Sequence, residues 1–426
     1  MDIHVVKPGE SVYSIAVLYG VPWQKIVEDN ELQNPSQLVP GQTLVILYSS
    51  REHIVRPGES LYLIALEYQV PISEIIAANP QITDPSRVYV GQQITIPPGR
   101  INFGPIEVNG YAFPNINMET LRKTLPSLTY LSVFSYEVNE DGSLDSIQDI
   151  PLIQAARSES VAPIMVITNI GDEGGFDSDL ASTILGSQSI QNTLINNIVS
   201  IMREKNYHGL AIDFEYIYPS DRENYNNFLR RLVARLRPMG YILVSALAPK
   251  ISAEQEGTLY EAHDYAVHGE LMDHVVIMTY EWGYTYSPPM AVAPINEVRR
   301  VLDYAVTEIP REKIFMGIPN YGYNWTLPYV EGTAAQTISN VGAVNLAYNV
   351  GAYINFDPVA QAPFFNYYDE NGRLHEVWFE DARSILAKLS LANEFRLGGL
   401  SYWTINQYFP QNWLVQNSVY DVQKVL

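Results

Sequence analysis

The apolar pattern of the first hundred residues is a repeat before it is anything else. The segment HVVKPGESVYSIAVLYGVPWQKIVEDN, which starts at His4, returns as HIVRPGESLYLIALEYQVPISEIIAAN from His53. In each copy a short alternating stretch (His4, Val5, Val6; His53, Ile54, Val55) predicts a strand, and the Pro-Gly pair after it predicts a turn. Ser11 and Ser60 stand as N-caps ahead of an apolar-periodic helix. Val21-Pro22 and Val70-Pro71 interrupt the chain before a second helix that ends near Asn30 and Asn79. A closing Gly-Gln-x-Leu/Ile-x-Ile predicts a last strand. Each copy is therefore a βααβ unit of roughly 45 residues, close to the lower size limit for independent folding.

After Ile96-Pro97-Pro98-Gly99-Arg100, a short stiff linker, the pattern changes. Apolar runs at 106–113, 128–136, 162–171, 208–217, 241–249, 274–282, 313–325 and 397–406 are mostly separated by helix-length segments. Eight such runs predict an α/β fold, a (β/α)8 TIM barrel. The wide gap between the seventh and eighth runs, rich in Tyr, Phe, Asn and Gly over 341–376, predicts a small inserted α+β subdomain at about 326–376. The expected division is 1–48, 52–98 and 101–426.

Composition narrows the function. The net charge of −21 supplies no basic surface for phosphates, which argues against a nucleic-acid partner. The acidity lies mostly past residue 100, where 20 Lys/Arg face 37 Asp/Glu, against 6 and 10 before it. The absence of cysteine excludes disulfides, thiolate nucleophiles and zinc–thiolate sites. No run approaches 18 apolar residues, so no membrane insertion is expected, and the N-terminus lacks the basic start and apolar core of a secretory signal. Aromatic residues make up 12% of the chain, with 30 Tyr. Flat rings with a polar rim suit stacking on sugars, although most must serve the core.

The sharpest chemical signal is HGLAIDFEYI at 208–217. Alternation along a strand turns Ala211, Asp213 and Glu215 to one face and Leu210, Ile212 and Phe214 to the other. Two acids on the inner face of a barrel are costly as packing, and the segment offers no base but His208 for an ion pair. An acidic pair at the C-terminal end of a barrel strand reads as catalytic.

Two family resemblances follow. The N-terminal repeats resemble the LysM module over their whole length. The resemblance implies binding of glycans containing N-acetylglucosamine, in a groove between Pro8-Gly9-Glu10-Ser11 and the loop from Asn30, and between Pro57-Gly58-Glu59-Ser60 and the loop from Asn79. Two weak sites on one chain suit an insoluble repeating polymer. The barrel resembles glycoside hydrolase family 18, whose motif is Asp-x-x-Asp-x-Asp-x-Glu. This resemblance implies that Glu215 is the general acid/base and that Asp213 orients the substrate's 2-acetamido group, whose oxygen attacks the anomeric carbon. The motif's first two acids are here His208 and Ala211, so either Thr168 or Asn169 supplies the contact that Asp213 loses, or Asp213 is less tightly switched. Tyr280 falls where the family places a tyrosine on the acetamide oxygen, with Glu281 and Trp282 beside it. Trp403 fits the floor of the subsite for the reacting sugar. Asn320, Tyr321 and Tyr323 are expected to line the groove, although the two tyrosines fit a core position equally well.

His263, His268 and His274 lack the spacing of a compact ligand set, so no metal is expected, and the family implies no cofactor. Two such modules ahead of such a barrel resemble the spore cortex-lytic N-acetylglucosaminidases of endospore-forming bacteria. The resemblance implies peptidoglycan as partner and a spore-associated protein made in the cytoplasm. A chitinase with the same residues, or a glycan-binding protein without activity, remains an alternative reading of the same motif.

Overall fold

The computed structural model describes residues 1–68, 70–99 and 101–426; Arg100, the last residue of the expected linker, lies outside the described residues. The chain divides into two compact units. One is Met1–Gly104 with Pro410–Asp421, and the other is Pro105–Phe409 with Val422–Leu426.

In the first unit each repeat folds as βααβ. Strand β1 (Asp2–Val5) pairs antiparallel with β2 (Thr43–Ile46) around helices α1 (Val12–Tyr19) and α2 (Trp23–Asp29). Strand β3 (Arg51–Ile54) pairs with β4 (Gln93–Ile96) around α3 (Leu61–Tyr68) and α4 (Ile72–Ala78). Ser11 caps α1 in a reciprocal box with Ser14, and Ser60 Oγ accepts from Leu63 N–H. The cores are small and separate: Val6, Val12, Ile15, Ala16, Ile26, Leu44 and Ile46 fill the first. Their counterparts Val55, Leu61, Ile64, Ala65, Ile75, Ile94 and Ile96 lie in the second.

In the second unit, parallel strands β5 (Gly104–Ala112), β6 (Tyr130–Glu137), β7 (Ala162–Thr168), β8 (Gly209–Asp213), β9 (Ile242–Leu247), β10 (His274–Ile277) and β11 (Ile314–Pro319) follow one another around a barrel. An antiparallel sheet interrupts the series: β12 (Gly322–Leu327), β13 (Gln336–Ile338), β14 (Asn355–Asp357), β15 (Ala362–Tyr368) and β16 (Leu374–Trp378). Strand β17 (Gly399–Trp403) then pairs with both β11 and β5 and closes the barrel. The predicted TIM barrel with an inserted subdomain is therefore the observed fold.

The run at 313–325, expected to be one strand, is two. Pro319 ends β11, and the Asn320 side chain donates to Thr404 O at 3.0 Å and Gln407 O at 2.5 Å. The chain then leaves the barrel for the inserted sheet. Two-residue alternation sends Tyr130, Phe134, Ile164, Val166, Ala211, Val244, Val276 and Phe315 inward as the barrel core. Asn109, Ser132 and Ser401 form a hydrogen-bonded polar layer across that interior.

Candidate active site

The C-terminal ends of the barrel strands surround a cleft of about 500 Å³ lined by Asp213, Glu215, Tyr280, Glu281 and Trp403, with Tyr111 among the other lining residues. Asp213 is the last residue of β8, and Glu215 lies two positions beyond on the same face. Asp213 is buried, and its Oδ1 has no hydrogen-bond partner among the described residues. Neither expected neighbour supplies one. Thr168, in register with Asp213, bonds Ser135 at 3.1 Å, and the Asn169 amide bonds the backbone of Glu215 and Asp177. Those contacts are taken because the β7–β8 ladder ends at this pair, so the backbone beyond needs partners of its own.

Desolvation pushes the Asp213 carboxyl up to about 7. The Glu215 carboxyl is raised further above its ordinary range, first by burial and then by the charges of Asp213 and Glu281. Burial and these charges favour the protonated form, the form that general acid catalysis requires. Tyr111, whose buried hydroxyl makes no hydrogen bond among the described residues, stays neutral beside the two acids because of burial and their charges.

Tyr280 follows β10 and presents its ring to the cleft. Its neighbour Glu281 sits at φ 66°, a left-handed conformation that a glutamate rarely adopts. The hydroxyls of Tyr321 and Tyr323 hold it there: both donate to the Glu281 carboxylate, the second at 3.1 Å. Trp403 is fixed edge-on against Phe134, Tyr111 and Phe113, with centroids 4.8, 5.4 and 5.7 Å away.

Four expected groove residues are placed elsewhere. Asn320 is buried, and its amide anchors the loop after β17. Tyr321 and Tyr323 are buried among Trp325 and Trp378 of the inserted sheet, in a cluster against which Tyr280 and Trp403 of the cleft wall pack, and their hydroxyls reach Glu281. Trp282 does not line the cleft, because its backbone turns away to pair with Val292. Residues that the sequence reading missed include Tyr111 and Phe134, which sit on inward positions of their strands and were open to detection by alternation, and Met278, just past the end of β10. Tyr216, Leu259, Tyr260 and Tyr284 lie in loops that carry no periodic signal.

In the N-terminal repeats the Pro-Gly loops are exposed, and Gly9 and Gly58 take φ of 83° and 86°, which the turn requires. Glu10 and Glu59 are spoken for: each carboxylate accepts from a histidine (His4 or His53, both at 2.8 Å) and from the backbone N–H three residues back. For Glu59 the Arg56 N–H, then His53, holds the carboxyl below its usual value. Asn30 and Asn79 are corrections to the expected groove. Both side chains are buried and tie the end of the second helix to the last strand, Asn30 through Ile26 O and both backbone groups of Val45. Asn79 does the same with Ile75 O and Thr95.

The chain is similar to known proteins over its whole length. The family model for glycosyl hydrolases family 18 matches residues 101–407, and the LysM domain model matches 4–47 and 53–97. The chain is 44% identical to the cortical fragment-lytic enzyme of Bacillus subtilis (strain 168), over 100% of this chain and 99% of that protein. The crystal structure of the Bacillus megaterium QM B1551 spore cortex-lytic enzyme SleL superposes with a TM-score of 0.87 at 40% identity, covering 100% and 99%. That of the Bacillus cereus spore cortex-lytic enzyme SleL gives 0.84 at 42%, covering 99% of each.

Proposed function

The chain belongs to glycosyl hydrolases family 18 and carries two LysM domains, and on that footing we propose that it is an N-acetylglucosaminidase of spore cortex peptidoglycan. The observation that carries the reading is the pair Asp213 and Glu215 at the mouth of β8, both lining one sugar-sized cleft, where burial and neighbouring charge favour the protonated form of Glu215. The reaction is the substrate-assisted variant of glycoside hydrolysis. Glu215 protonates the leaving glycosidic oxygen while the acetamide oxygen of the N-acetylglucosamine residue attacks its own anomeric carbon. Asp213 and the Tyr280 hydroxyl orient that acetamide, and the sugar ring lies over Trp403. Glu215, now ionised, takes a proton from water as it opens the oxazolinium intermediate with retention at the anomeric carbon. Only a 2-acetamido sugar supplies the internal nucleophile, so the cut falls after N-acetylglucosamine.

The LysM domains hold the insoluble polymer through their exposed Pro-Gly loops, and the setting is the cortex region of the spore. Mass spectrometry of spore cortex fragments incubated with wild type and Glu215→Gln tests the reading. New N-acetylglucosamine reducing ends from the wild type alone support it. Cleavage of chitin oligomers but not of cortex fragments would make the protein a chitinase, and inactivity on both would make it a binding protein.

A further inference from the structure

Glu215 lies beyond the last rung of the barrel ladder on both sides. Pairing of β7 with β8 stops at Thr168 and Asp213, and pairing of β8 with β9 stops at Ile212 and Ser245. The peptides of Phe214 and Glu215 therefore have no strand partner, and buried backbone groups need one. Two side chains take the place of strands. The Asn169 amide accepts from Glu215 N–H at 2.9 Å and donates to Glu215 O at 2.9 Å, so it pairs with both polar groups of that residue as a neighbouring peptide would. On the other flank, the His263 ring accepts at Nδ1 from Ala248 N–H, just past β9, and donates from Nε2 to Phe214 O, both at 2.9 Å. The acceptor role at Nδ1 fixes the tautomer, and so makes Nε2–H the donor. Asn169 and His263 are both buried, and neither lines the cleft.

We propose that Asn169 and His263 are positioning residues for Glu215, extending the ladder on either side of β8 so that the carboxyl is held where it must deliver its proton. The inference rests on Glu215 being the proton donor. A misplacement of about 1 Å can cost on the order of a hundredfold in rate, so two clamps on the backbone of a general acid are of catalytic consequence. The demand on the acid depends on the leaving group. A sugar alkoxide must be protonated as it departs, whereas a 2,4-dinitrophenolate leaves without help.

The test compares two synthetic substrates that share one N-acetylglucosamine-ended glycone, one with a sugar and one with a 2,4-dinitrophenyl leaving group. Rates are expressed per folded molecule, with folding judged by near-ultraviolet circular dichroism. Asn169→Ala and His263→Ala should lower kcat/KM, which reports only the steps through departure of the leaving group, by on the order of a hundredfold on the sugar substrate, with a much smaller loss on the dinitrophenyl substrate. His263→Asn leaves an acceptor for Ala248 N–H and removes only the donor to Phe214 O. It should show the same split, and it decides alone if the alanine variants do not fold. Equal losses on both substrates, or none, overturn the inference. Glu215→Gln is the reference: if it shows no split itself, the assignment of the proton donor fails instead.

Discussion

Asp213 follows Ala211 on the inner face of β8, and the methyl group of Ala211 gives the Asp213 carboxyl nothing to share a proton with. With Oδ1 buried and unpartnered, the carboxyl is pushed up to about 7 by desolvation, against about 3.9 in an unfolded chain. Below about pH 4 both states hold the proton, and Asp213 costs nothing on that account. As the pH rises toward 7 the unfolded chain ionises while the native state does not, so stability falls, and above that range the penalty is constant. Asp213→Asn, neutral at every pH, should therefore raise the melting temperature at pH 8 by the equivalent of roughly a few kcal/mol and change it little at pH 4. An equal shift at the two pH values would show that the asparagine acts by packing instead.

The charge of Glu281 is one of the influences that raise Glu215, after burial and Asp213. Removing that charge lets Glu215 ionise at lower pH, and an acid that has lost its proton cannot donate it. Glu281→Gln should thus move the alkaline limb of the kcat/KM profile to lower pH. Tyr321→Phe should perturb the same limb by freeing the Glu281 carboxylate. An unmoved limb in Glu281→Gln would mean that Glu281 is neutral in the working enzyme.

The eight barrel strands were legible because strands buried on both faces read as continuous apolar runs. The acids were legible because alternation places them inward at a strand end. The same continuity hid the break after Pro319, since Asn320 to Trp325 carry the apolar character onward into a different sheet. That is why Tyr321 and Tyr323 fitted groove and core equally in the sequence, whereas in the structure they are buried and hold Glu281. The backbone contacts of Asn169 and His263 could not be read, because they reach atoms 46 and 49 residues away, which no side-chain pattern records. The repeated Asn30 and Asn79 carried a real signal, but repetition marks structural and ligand-binding positions alike, and burial separates them.

Gly317 makes room for Tyr280. A Cβ at that position would lie 2.8 Å from the Tyr280 ring and 2.7 Å from Ile277 O, and the second contact is backbone that has little freedom to yield. Gly317→Ala should displace the Tyr280 ring, and so lower kcat on N-acetylated substrates by roughly ten- to a hundredfold if the hydroxyl must meet the acetamide oxygen within a few tenths of an ångström. A crystal structure of the variant with Tyr280 displaced and activity intact would remove Tyr280 from the reaction.

Asn79 decides between a ligand-binding and a structural role in the second LysM domain. Its side chain satisfies Ile75 O, Thr95 O and Thr95 N–H, all of which Asn79→Ala would leave without that partner. Buried groups left unsatisfied cost about 1–3 kcal/mol each, which is large against the stability of a domain this small. Asn79→Ala should melt this domain at a lower temperature and weaken retention on insoluble cortex, while hydrolysis of a small soluble substrate by the barrel is preserved. Pro57→Ala, in the exposed loop, should weaken retention without moving the melt. If instead Asn79→Ala leaves the melt unchanged and abolishes retention, the asparagine touches the glycan after all.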